Sequence, residues 1–90
     1  MKTAQEFIEF FQVIEDDKWT TGEFEDEDGR CCATGHCPES FMTNLGQLFY
    51  NYSNYRTVYI VNDGFDEDYP QKTPKARVLA ALTDIKNKGG

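Results

Sequence analysis

The sequence predicts a small, α-rich α+β domain: three helices with a short β-hairpin or two short strands, in one unit over residues 1–90. Capped amphipathic stretches near both ends, an apolar helical spacing in the middle and short β-branched or Gly-bounded segments between them predict it. A chain of 90 residues with 39% hydrophobic and 14% aromatic content supports one modest core. Its apolar mass is weighted toward rings, seven Phe, five Tyr and one Trp, each burying more surface than an aliphatic side chain.

The first helix begins at a capping box. The Thr3 hydroxyl can satisfy an orphan N–H of the first turn while Glu6 reaches back. Phe7, Phe10, Phe11 and Ile14 then fall on one face, which predicts about four turns ending near Lys18. Gly22, Gly29 and an acidic run follow, and Trp19 to Phe24 can pair with Arg30 to Ala33 as a hairpin around the loop "EDEDG".

After Gly35, Pro38 and Glu39 suit a first helical turn, and Phe41, Leu45, Leu48, Phe49 and Tyr52 recur at helical spacing. Gly46 weakens that helix unless it permits close packing. "TVYIV" is β-branched and short, a strand or a buried connector, closed by a turn at "NDG". The last helix carries Thr73 as N-cap, Pro74 at its first position and Val78, Ala81, Leu82 and Ile85 along one face. Lys86 and Lys88 complement the dipole there, and Gly89 is the stop.

Sixteen acidic and nine basic residues give a net charge of -7, which repels phosphate backbones and argues against direct nucleic-acid binding. No segment approaches the roughly 20 apolar residues of a membrane span. Glu6 and Glu9 interrupt the N-terminal apolar stretch, so it does not read as a secretory signal. Three Cys without such a signal suggest a reducing compartment, and the expected location is cytoplasmic.

The densest chemistry is "GRCCATGHCPE", which holds Cys31, Cys32, Cys37 and His36, the one histidine. As a zinc site its spacing is wrong, because structural sites draw ligand pairs from separate segments and no second pair exists. As a nucleophile, Cys37 or Cys32 near a helix start and His36 would have a lowered pKa, yet adjacent residues usually point apart and no third group orients the base. Cysteines as small buried hydrophobes remain the simpler reading, so no metal, cofactor or catalytic residue is expected.

The carboxylates fall in two clusters, Glu25 to Asp28 and Asp63 to Asp68. As a calcium loop the first fails at both ends, with Phe24 at the first position and Gly35 at the last. Solvated loop charge or an electrostatic recognition surface remain. "LFYNYSNYRTVY" offers rings for stacking, but Arg56 is its only cation, so core packing with a partly exposed Tyr patch is favoured.

Taken in order, Trp19 to Gly22 ("WTTG"), Cys32 to Gly35 ("CATG"), Asn62 and Asp63 ("VND") and the Thr73-capped "TPKARVLAALTDI" resemble an uncharacterised small-domain family of bacteria and their phages. The short motifs span nearly the whole chain, and Val61 stands where that family's pattern has Trp. The resemblance implies a fold and a phage or mobile-element setting, with no activity and no catalytic residue to carry over.

These readings converge on a non-enzymatic acidic binding protein, a phage-type accessory or anti-defence factor engaging a host or defence protein with a basic surface. The candidate partner-binding residues are Asp63, Asp66, Glu67, Asp68, Tyr55 and Tyr69. The second cluster is expected to be better fixed than the "EDEDG" loop. The alternative is a small-molecule or nucleotide module using Trp19, Tyr52 and Asn62. Oligomeric state is left open.

Overall fold

The N-terminal capping box forms in full: in the computed structural model, which describes residues 2–90, Glu6 N–H donates to Thr3 Oγ1 at 3.3 Å and Thr3 N–H to Glu6 Oε1 at 3.1 Å. Helix α1 (Ala4–Gln12) buries Phe7 and Phe11. It is shorter than the spacing predicts. Glu15, Asp16 and Asp17 would lie at the negative end of a longer helix, where carboxylates are unfavourable. The chain instead makes a 3-10 turn over Asp16–Lys18 and doubles back. Trp19 then rests on Phe11, ring centroids 5.3 Å apart, with its indole N–H donating to the Ile14 carbonyl at 3.3 Å.

The expected hairpin does not form, and among the described residues there is no sheet, so the α+β assignment gives way to an all-helical fold. Cys31 makes an isolated parallel bridge to Trp19 and an isolated antiparallel bridge to Glu25. Thr20 N–H donates to Cys31 O and Cys31 N–H to Lys18 O, while on the other side Cys32 N–H donates to Phe24 O. The segment from Trp19 to Glu25 therefore curves around Cys31 rather than lying along it. Gly22, at φ +82, is part of that bend.

Helix α2 (Ala33–His36) is a single turn, and α3 (Glu39–Tyr52) buries Leu45, Leu48 and Phe49. A Cβ at Gly46 would meet open space, so that glycine serves no close packing. "TVYIV" is helix α4 (Val58–Asn62), neither strand nor connector. Val58, Val61 and Asn62 occupy one buried face at i, i+3 and i+4, and this burial overrides β propensity. The helix ends under Arg77, whose guanidinium donates to the carbonyls of Val61 and Asn62. Gly64 follows at φ +84, where a Cβ would stand 3.2 Å from the Arg77 guanidinium carbon. Backbone conformation and the approach of Arg77 both require glycine there.

Helix α5 (Pro74–Asn87) starts as expected, with Ala76 N–H donating to Thr73 Oγ1 at 3.1 Å. Val78, Ala81, Leu82 and Ile85 are fully buried, and α5 packs against each of the other four helices. It is the axis on which every other element is hung.

Candidate functional site

Asn62, fully buried at the end of α4, holds three parts of the chain together. Its Oδ1 accepts from Ala33 N–H at 3.0 Å, and its Nδ2 donates to Thr20 O at 3.0 Å and Asp63 Oδ1 at 2.9 Å. The short helix α2, the bend after Trp19 and α4 are thereby fixed to one another. Cys32 caps α2 through an acceptor sulfur 3.4 Å from Gly35 N. A Cβ on Gly35 would stand 2.1 Å from the Phe24 carbonyl oxygen, so only glycine lets the acidic bend press onto α2.

These ties leave a groove of about 440 Å³ between the bend and α4, lined by Gly22, Glu23, Phe24, Cys32, Thr34, Val58, Tyr59 and Asp63. Its lining is mainly apolar. Phe24 and Tyr59 are 64% and 59% exposed, large rings that contribute little to the core. The charged lining residues are the carboxylates Glu23 and Asp63, neither of which forms an ion pair among the described residues. A groove with an apolar floor and acidic edges suits a cationic, partly apolar ligand.

The structure divides the predicted partner-binding residues. Asp63 lines the groove, but Asp66 and Asp68 are both engaged by Arg56, whose Nε lies 2.6 Å from Asp66 Oδ2. Tyr69 is buried beneath them, its hydroxyl donating to Asp84 at 2.8 Å and its ring 5.3 Å from the Arg56 guanidinium. Glu67 is exposed between the two clamped aspartates. Tyr55 belongs to a separate patch with Tyr50, Tyr52 and Lys88, its ring edge-on to Tyr50 at 4.8 Å. It takes φ +63 beside Asn54 at φ +52, a strained pair for non-glycine residues.

Trp19, Tyr52 and Asn62, the alternative ligand set, do not converge. Trp19 and Asn62 are core residues, and Tyr52 lies at the far end of α3. Phe24, Tyr59 and Glu23, which line the groove, were not singled out from sequence. The available signal was that Tyr59 lies off the buried face of Val58, Val61 and Asn62, and that Phe24 is an isolated ring between Glu23 and Glu25.

The Cys/His cluster is likewise dispersed. Cys37 Sγ donates to Ala33 O at 3.4 Å, and burial pushes its pKa up to about 11. Burial, with Glu25 nearby, also raises the Cys31 thiol. His36 lies against Trp19, ring centroids 4.8 Å apart, with a pKa lowered by burial. Among the described residues no hydrogen bond joins its imidazole to a cysteine thiol, and no three His, Cys, Asp or Glu side chains converge as a metal-ligand set. Cys32, expected as a small buried hydrophobe, is buried and also serves as a helix cap.

Among the described residues no helix is long and apolar enough to cross a membrane. Comparison with models of known families, with curated proteins and with solved structures returns no match.

Proposed function

We propose that this chain is a stoichiometric, non-enzymatic binding protein that engages a basic partner protein through the groove between the acidic bend and α4. The observation that carries this reading is the pairing of exposed Phe24 and Tyr59 with Glu23 and Asp63 in one apolar groove. Charge supports it, since a net charge of -7 steers cationic partners toward the surface and neither groove carboxylate forms an ion pair among the described residues. The raised pKa values of Cys31 and Cys37 support the non-enzymatic part, because both thiols stay protonated and weakly nucleophilic near neutral pH. A phage-type accessory or anti-defence role rests on the family resemblance and directs the search for the partner to bacterial host proteins.

Affinity capture from a bacterial lysate over a salt series tests the function. A basic protein retained at low salt and released as salt rises is expected. Recovery of no basic protein, or retention indifferent to salt, sinks the reading. The groove's volume also falls in the range of small-ligand pockets. A nucleotide that raises the melting temperature in a thermal-shift panel would favour that second reading, since a saturated native-state site must add stability.

A further inference from the structure

We infer that the groove's occupant is a short basic segment of the partner in which one apolar side chain lies between cations, rather than a diffusely basic surface. This rests on the proposed function and narrows it to a recognition element. Charge alone would need only carboxylates, and those are plentiful elsewhere on the surface. Asp26 and Asp66, however, are each tied to an arginine, at 2.7 and 2.6 Å, and Asp28 and Asp68 are bridged by the same two arginines. The groove differs in that neither Glu23 nor Asp63 forms an ion pair among the described residues, Asp63 accepting from the Asn62 amide and feeling Arg77 only at longer range, and in setting both beside Val58, Cys32 and two exposed rings.

A floor of that kind has nothing to offer a lysine ammonium except the ring faces, whereas it removes an aliphatic side chain from water. Glu23, on the bend, and Asp63, just past the end of α4, line the groove from different chain segments, and the proposed segment offers each a cation, one before and one after the apolar anchor. The bend is held in place by Gly35 and by the Cys32 N–H to Phe24 O bond of 3.1 Å. Ordering the lip therefore costs the complex little backbone entropy.

The experiment uses three fluorescein-labelled peptides of equal length read by anisotropy: lysines flanking a central leucine, the same peptide with glycine for leucine, and glutamates flanking the leucine. The lysine–leucine peptide is expected to bind, to lose about tenfold in affinity when leucine becomes glycine, and to exceed the glutamate peptide by more, as expected for one buried aliphatic side chain with charge complementarity. Phe24→Ser, at an exposed position that leaves the fold intact, should lower affinity for the lysine–leucine peptide and leave the glycine version unchanged. Equal binding of the leucine and glycine peptides overturns the inference while the acidic binding function stands. Binding of the glutamate peptide as tightly as its lysine counterpart, or of none of the three, overturns the inference together with that function.

Discussion

The chain carries Asp-Glu-Asp twice, and the two loops are built alike. In each, the first aspartate accepts the backbone N–H of the third residue at 2.9 Å, Asp26 from Asp28 and Asp66 from Asp68. In each, an arginine Nε reaches the other oxygen of that first aspartate and its guanidinium also bridges to the third. The difference lies in where the arginine comes from. Arg30 is four residues along the same loop and 47% exposed, so it closes a local turn. Arg56 is ten residues before Asp66 and 17% exposed, so it joins the α3–α4 link to the α4–α5 link over the ring of Tyr69. One acidic motif thus serves as a turn in one place and as a tertiary clamp in the other. The lesson is that clustered acids in a protein with a net charge of -7 need not be a recognition surface.

Both loops depend on a common frame, which gives the largest expected effect. Trp19, at the start of the bend, connects α1 to α2 through Phe11 and His36. Trp19→Ala should cost about 3–5 kcal/mol in chemical denaturation, the usual range for a buried tryptophan. A loss below about 1 kcal/mol would mean that the bend does not hang on this ring.

The comparison itself is tested by paired substitutions. Arg56→Gln leaves half-buried Asp66 without its cation and should cost about 1–2 kcal/mol. Arg30→Gln should cost less, because the pair is local and solvent-screened and the backbone N–H groups of Asp28 and Arg30 still hold Asp26. A double-mutant cycle should return stronger coupling for Arg56 with Asp66 than for Arg30 with Asp26. The reverse order would break the distinction between clamp and turn.

Acid separates the frame from the loops. Burial lowers the His36 pKa in the fold, so stability present above its ordinary value of 6.5 declines as pH falls through the folded value. For Asp26 and Asp66, desolvation would raise the pKa. Backbone N–H groups and the arginines outweigh it, and both carboxyls are held below their ordinary 3.8. Their contribution is present above that pH and lost as pH falls below it. Thermal unfolding against pH should therefore show two declines, and His36→Phe should remove the one nearer neutrality. A single decline below pH 4 in both proteins would place His36 in the same environment folded and unfolded.

Much of the frame was legible because its signals are local. Thr3 with Glu6, Thr73 with Pro74, and the apolar rows of α3 and α5 each lie within a few residues, and the caps and helices form where these signals predict, although Phe41 and Tyr52 at the two ends of the α3 row are not buried. The errors fall where distant residues decide. Val58 to Asn62 is helical because its buried face and Arg77 favour it against β-branched propensity. The hairpin fails because Cys31 bridges two separate passes of the chain, and the "EDEDG" loop, expected to be poorly fixed, is closed by Asp26 and Arg30. Four positions of the short motifs singled out in the sequence have structural roles: Trp19 packs, Cys32 caps, Gly35 admits a carbonyl, and Asn62 joins three segments. Tyr59 was hidden because a ring in an apolar stretch reads as core until the fold shows which way it faces, and Phe24 because, isolated among glutamates, it read as the end of a hairpin strand.

The loop tips give the smallest effect. Glu27 and Glu67 are exposed and form no ion pair among the described residues, so Glu27→Gln and Glu67→Gln should each change stability by less than about 0.5 kcal/mol. That neutrality makes them the control for recognition. Two double variants each remove two carboxylates and so have the same net charge: Glu23→Gln with Asp63→Asn in the groove, and Glu27→Gln with Glu67→Gln at the tips. Titration of both, and of the unaltered protein, with the lysine–leucine peptide at low salt measures whether recognition is sited or diffuse. The groove variant should lose about tenfold or more in affinity and the tip variant less than about threefold. Equal losses would contradict a sited groove and leave the protein's overall field as the source of binding.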